Sequence, residues 1–181
     1  LANWRVKAGD DPAWARLDYD DSGWGSREIA GRFAHEGTFW LRTTVEVTGR
    51  FSESSPPTLS VYNLPSAFEV FWDGELIGRN GRWGRDRSRE FPGTTRFLQV
   101  FDPGRAEPGA HLLALRISNF HVRGKTIVTG IGLGPLGVLN GFIQRMVDRR
   151  MVSMGLYFVA ALFGFFLFIR RRKNPGFVLL G

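Results

Sequence analysis

Nineteen uncharged residues run unbroken from Met151 to Ile169, MVSMGLYFVAALFGFFLFI, and close on Arg170, Arg171, Arg172 and Lys173. The most polar members of the run are Ser153 and Tyr157. A helix rises about 1.5 Å per residue, so the run covers roughly 28 Å, close to the hydrocarbon thickness of a bilayer. The core helix of a soluble domain keeps a polar stripe, and this run is apolar on every side. The sequence therefore predicts a transmembrane helix over 151–169, with the lipid bilayer as its partner.

The charge is placed to match. From Arg145 to Lys173 there are seven basic residues and one acid, Asp148, so this stretch carries +6 of the formal +7. Arg149 and Arg150 before the helix, and Arg170, Arg171, Arg172 and Lys173 after it, read as anchors at anionic headgroups. With residues 1–144 nearly neutral, the high pI gives no support to nucleic-acid binding. The tight RRRK run favours a cytoplasmic C-terminal side. The absence of Cys is compatible with an oxidising compartment for the N-terminal part, and a start at Leu1 without Met is what removal of a signal peptide leaves.

The expected organisation is a domain over 1–135, a juxtamembrane coupling helix over 136–150, the membrane helix, a basic loop over 170–176, and the start of a second membrane helix over 177–181. In the coupling segment Leu136, Leu139, Ile143, Met146 and Val147 recur at helical spacing. Ala160 and Gly164 form a small-xxx-small pair suited to helix packing, or equally to facing lipid.

Residues 1–135 read as mainly β. Runs at 39–47, 58–62, 67–72, 95–101, 111–117 and 126–131 read as strands, with Gly, Pro, Asp and Asn at short spacing between them. AFEVFW at 67–72 ends on Asp73-Gly74, a hairpin signal. No amphipathic helix of three turns occurs before residue 136, so two packed antiparallel sheets are expected rather than a βαβ fold.

No catalytic constellation is visible. His35, His111 and His121 have no metal-ligand spacing, Ser52, Ser54 and Ser55 sit outside any nucleophile elbow, and no P-loop occurs. Asp10, Asp11, Asp18, Asp20 and Asp21 cluster without the EF-hand spacing. A structural calcium held partly by backbone carbonyls near Asp18, Asp20 and Asp21 is one account, and turn formation by Asp side chains the plainer one. No other cofactor is expected. By composition the binding candidate is the segment from Gly78 to Glu90. Its Arg79, Arg82, Arg85, Arg87 and Arg89 suit carboxylates, phosphates and sugar hydroxyls, and Trp83 could stack on a ring. The alternative is a solvated loop near anionic headgroups.

GDDPAWARLDYDDSGW (9–24), GTFWLRTTVEV (37–47), AFEVFWDGELIGRNG (67–81) and HLLALRISN (111–119) together resemble the galactose-binding-like jelly roll. GLYFVAALFGFFLFIRRRKNPGFVLLG (155–181) looks like the first helix and loop of bacterial seven-transmembrane receptors with diverse intracellular signalling modules. The resemblance implies a periplasmic sensor domain in the bacterial inner membrane. Its output, outside these residues, would be a histidine kinase, a diguanylate cyclase or a serine/threonine phosphatase. It further implies that Trp14, Trp24 and Trp40 pack at one side of the sandwich and that Arg42 and Arg116 lie in inner strands. The partners it admits are a small solute or carbohydrate, a protein partner, or a second copy as homodimer. The alternatives are a membrane-anchored carbohydrate-binding accessory domain and a structural dimerisation ectodomain. Catalysis within the chain is not expected.

Overall fold

The computed structural model describes residues 3–28, 31–33, 36–121, 126–128 and 130–173. The chain divides into two compact units, Leu1–Leu139 and Asn140–Gly181.

The first unit is an antiparallel β-sandwich. Its strands are β1 (Asn3–Ala8), β2 (Gly25–Glu28), β3 (Gly31–Phe33), β4 (Gly37–Val47), β5 (Pro57–Tyr62), β6 (Ala67–Trp72), β7 (Glu75–Asn80), β8 (Arg96–Val100), β9 (Gly109–Asn119), β10 (Thr126–Val128) and β11 (Gly130–Pro135). Six of them form one sheet in the order β2-β1-β4-β9-β6-β7, and three form a second in the order β11-β5-β8. A two-stranded ribbon, β10-β3, completes the set.

Alternation along the strands makes the two faces of the large sheet. Trp4, Leu41, Phe68, Val70, Trp72, Leu113, Leu115 and Ile117 are buried with Leu59, Val61, Phe97 and Ile131 of the smaller sheet in one apolar core. The opposite face carries Trp40 and Ala114, which form a second cluster with Trp14, Ala15 and Trp24. This outer cluster exists because residues 10–24 fold back over the sheet. Asp11 starts a 3-10 turn at Pro12–Ala15 by accepting the Ala13 N–H, which presents Trp14 to the sheet.

The expected mainly-β sandwich of two antiparallel sheets is therefore found. Asp73 and Gly74 adopt φ of +49° and +85° between β6 and β7, the two-residue turn that matches strand twist. Two expectations need correction. The run 126–131 is two strands: β10 pairs with β3 and β11 with β5, so the chain changes sheets around Gly130. The basic run 170–173 belongs to a helix rather than a loop. A single α1 (Leu136–Lys173, 38 residues) takes in the coupling segment, the apolar run and these four residues. Nothing in 136–173 breaks a helix, Asn174-Pro175 is the first stop signal, and cations suit a helix C-terminus. The expected second membrane helix at 177–181 and the remainder of the loop, 174–176, lie outside the described residues.

Candidate functional site

The segment after β7 is tightly built. Arg82 and Phe91 bridge each other through reciprocal backbone hydrogen bonds of 2.9 Å. Asp86 Oδ1 accepts the N–H groups of Ser88 and Arg89, both at 3.0 Å, and the Ser88 hydroxyl at 2.6 Å. These bonds, the Ser88 hydroxyl foremost, hold the Asp86 carboxyl below its ordinary range. Glu90 is buried and accepts the N–H of Phe120 at 2.8 Å and of His121 at 3.3 Å, while Gly84 N–H reaches the Ser118 hydroxyl. A Cβ on Gly84 would lie 2.4 Å from the Glu90 nitrogen. Gly84→Ala is accordingly expected to cost about 1–3 kcal/mol in a urea-denaturation series. A loss below about 0.5 kcal/mol would mean that the loop yields easily.

The segment's arginines diverge. Arg79 lies on β7 and pairs with Glu69 at 3.0 Å. Arg82 Nε donates to the Arg89 carbonyl at 3.0 Å, and Arg89 lies 3.5 Å from Asp86. Arg87 is exposed. Arg85 and Trp83 face a network that composition did not reveal. Its centre is Arg116 on β9, which donates from Nε and Nη2 to both oxygens of Asp10, each at 2.7 Å, and from Nη1 to Glu69 at 3.1 Å. Its guanidinium carbon lies 3.5 Å from the centroid of the Trp83 ring. Asp10 also accepts the Trp40 indole N–H at 3.2 Å and has Arg85 at 3.8 Å.

Burial pushes the Asp10 carboxyl upward, but the Arg116 and Trp40 hydrogen bonds and the charges of Arg116 and Arg85 outweigh it, leaving the group below its ordinary value. Burial likewise depresses Arg116, and its bonds to Asp10 and Glu69 more than reverse this. One face of Trp83 is thus occupied by an internal cation. Arg79 and Arg85 keep largely exposed guanidiniums while paired with Glu69 and Asp10, and Arg87 is exposed. The sequence signal for Arg116 was a lone arginine within the apolar strand LALRIS.

The acidic cluster is spread over separate partners. Asp18 makes a two-point pair with Arg16 at 2.9 and 2.7 Å, Asp20 accepts the Ser22 N–H at 2.9 Å, and Asp21 pairs with Arg42 at 2.8 Å. Among the described residues no group of three or more His, Cys, Asp or Glu is placed to hold a metal. Arg42, buried on β4, holds the covering segment: it donates to the carbonyls of Trp14, Arg16 (3.0 Å) and Tyr19 (3.3 Å). Above it Trp14 and Trp24 meet edge to face at 5.1 Å, and Trp14 meets Trp40 at 6.2 Å. The Lys7 ammonium lies 4.6 Å from the Trp14 ring centre.

A further polar knot joins the β6–β7 turn to the segment before β9. His111 Nδ1 lies 2.6 Å from Asp73 Oδ2, and Nε2 lies 2.7 Å from the Glu107 carbonyl oxygen. Asp73 Oδ1 accepts the Leu112 N–H at 2.8 Å, and the imidazole stacks on Trp72 at 4.9 Å.

In the second unit, Met151–Arg170 has a mean hydropathy of 2.3 and is wholly exposed, so this helix is long and apolar enough to cross a membrane. Ala160 and Gly164 lie on it, one turn apart, and nothing within 4 Å faces Gly164. Arg149 and Arg170 are exposed; the side chains of Arg150, Arg171, Arg172 and Lys173 are outside the described set.

No protein-family model and no curated protein matches the chain. Solved structures do. A glycosyl hydrolase family 2 member from Bacteroides cellulosilyticus matches at 15% identity and a TM-score of 0.53, over 70% of this chain and 19% of its own. Bacteroides uniformis β-glucuronidase matches at 14% and 0.54, over 74% and 17%. A β-glucuronidase 2 of the same organism, covalently bound to cyclophellitol-6-carboxylate aziridine, matches at 15% and 0.55, again over 74% and 17%. The likeness is one of fold. It bears out the expected jelly-roll β-sandwich, and the chain spans less than a fifth of the length of these enzymes.

Proposed function

We propose that the chain is the sensory and first membrane-spanning region of a bacterial inner-membrane receptor. On this reading the sandwich lies on the extracytoplasmic side and binds a small solute, and α1 carries the change toward a cytoplasmic kinase, cyclase or phosphatase module. The observation that carries the proposal is the junction at Pro135. Strand β11 ends there and α1 begins at Leu136 with no residue between them. Leu139 of the first helical turn lies against β11, 3.9 Å from where a Cβ on Gly132 or Gly134 would sit, which is ordinary packing distance. A membrane-anchored carbohydrate-binding accessory module needs only a tether, for which a flexible linker would serve. A sensor needs a strand whose displacement enters the helix directly.

The test uses the whole chain in lipid nanodiscs, with amide exchange followed in 151–170. A bound solute is expected to alter exchange there. A short Gly-Ser insertion after Pro135 is expected to abolish that response while leaving binding intact. A solute that binds the wild-type chain without any response in the helix would overturn the sensor reading in favour of the anchored module.

A further inference from the structure

The connection from β8 to β9, residues 101–108, lies at the end of the sandwich where β11 runs into α1. Its first residue, Phe101, donates its N–H to the Pro57 carbonyl at 3.1 Å, and Pro57 stands opposite Pro135, the last residue of β11. The connection covers Trp72. The Arg105 carbonyl accepts the indole N–H at 2.6 Å, and the Phe101 ring lies 5.3 Å from the indole. Ala106 is wholly buried. Asp102 closes the turn: its side chain accepts the Gly104 N–H at 2.8 Å and its carbonyl accepts that of Arg105 at 3.0 Å.

One largely buried side chain of the large sheet fastens this connection. His111 keeps 15% of its side chain exposed, with Nε2 against the Glu107 carbonyl and Nδ1 against Asp73 of the β6–β7 turn. Both neighbours are acceptors, so both contacts are hydrogen bonds only for the imidazolium. The other groups around the ring favour the charge as well. Trp72 stacks on it with the planes 23° apart, which suits a cation. Strand β4 has Val45 opposite His111 and brings the charge of Glu46. The cations nearby are engaged, Arg50 with Glu107 at 3.9 Å and Arg105 with Glu75. Burial opposes the charge, but the bonds to Asp73 and the Glu107 carbonyl and the charges of Asp73 and Glu46 outweigh it. The imidazole thus holds its proton above its ordinary range.

We infer that His111 is a proton-operated latch on the β8–β9 connection, closed when the imidazole is charged and slackened when it is neutral. On losing a proton the ring keeps its one N–H on Asp73, because a carboxylate is the stronger acceptor. Nε2 then turns a lone pair toward the Glu107 carbonyl oxygen, and a bond becomes a repulsion. The ties to Trp72 and Pro57 remain, so what changes is how often the connection opens. That opening falls beside Pro57 and Pro135, at the strand end that enters α1, which makes the pH around the sandwich an input of its own. The latch needs no bound solute and stands apart from the solute-sensor reading.

The test is amide exchange in the whole chain in nanodiscs from about pH 6 to 9, corrected for the intrinsic pH dependence of exchange. Protection of Gly104, Arg105 and Ala106 should fall about tenfold or more as pH rises, the effect of losing one hydrogen bond to a charged group. The Arg82 and Phe91 amides, bridged at the opposite end of the sandwich, should stay level. In His111→Phe the three amides should exchange at the faster rate throughout. Asp73→Asn separates the proton from the contact. Asn-Gly suits this turn, and the Asn amide gives an N–H to Nδ1 of the neutral ring, which frees the Nε2 N–H for the Glu107 carbonyl. Protection in Asp73→Asn should therefore persist at the alkaline end. A level wild type, or an equal fall at Arg82 and Phe91, would overturn the latch. So would an Asp73→Asn chain that tracks the wild type, or a His111→Phe chain as well protected as the wild type in acid.

Discussion

Arg116→Ala is expected to destabilise the sandwich by about 3–5 kcal/mol, the cost of removing one member of a largely buried ionic group. Arg116, Asp10 and Glu69 keep only 14%, 10% and 14% of their side chains exposed. Without the guanidinium, two carboxylates face each other's charge with Arg85 and Arg79 as loose, exposed partners, and Trp83 loses the group stacked against it. Arg116→Lys restores the charge without the fork that grips both oxygens of Asp10, so it should recover only part of the loss. Guanidinium denaturation followed by tryptophan fluorescence measures both.

The same network sets an acid limit. The folded-state carboxyl of Asp10 is held below its unfolded value, so its contribution is complete above that value and drains away as pH falls through the folded one. In the wild type the loss belongs below about pH 4. In Arg116→Ala the acid limb should move to higher pH. A variant within about 0.5 kcal/mol of the wild type would show that solvent already screens the cluster.

On the alkaline side stability is expected to fall as His111 loses its proton. Both ring nitrogens lie within hydrogen-bond distance of oxygen acceptors, and a neutral imidazole has only one N–H to give them. Burial lowers the imidazole pKa, but hydrogen bonds to Asp73 and to the Glu107 carbonyl, with the charges of Asp73 and Glu46, raise it overall. A group whose folded pKa is raised stabilises fully below its unfolded value, near 6.5, and ceases to do so as pH rises through the folded one. The loss should amount to about 1.5–3 kcal/mol, the usual worth of a hydrogen bond to a charged group. His111→Phe keeps a ring against Trp72 and removes both N–H groups, so its stability should be flat where the wild type declines. Parallel slopes from about pH 6 to 9 would rule out the imidazolium.

Much of this was legible in the sequence. The Asp73-Gly74 turn, the β4, β5, β6 and β9 runs and the apolar helix declared themselves by periodicity and turn chemistry. Trp14, Trp24 and Trp40 gather in one cluster on one side of the sandwich, as the resemblance implied. Strand β2 could not be seen: all four of its residues are exposed, so it carries no apolar alternation. Strand β1 was hidden for a different reason, since Trp4 and Val6 alternate with Asn3, Arg5 and Lys7 in a run too short to stand out. The arginine-rich segment was found by composition, but composition could not show that its chief partners, Asp10 and Glu69, come from elsewhere in the sequence.

Strand β9 also governs the order in which the chain can finish. It lies between β4 and β6 and pairs with both, so the large sheet exists only as β2-β1-β4 and β6-β7 pieces until residues 109–119 have been made. The smaller sheet waits longer, because β11 is the last strand before the helix. During vectorial synthesis the growing chain therefore carries open strand edges, the features that invite pairing with other chains. The edges of β4 and β6 close with β9, and that of β5 closes last with β11, immediately before the helix, which makes completion of the sandwich and delivery of the helix closely spaced events.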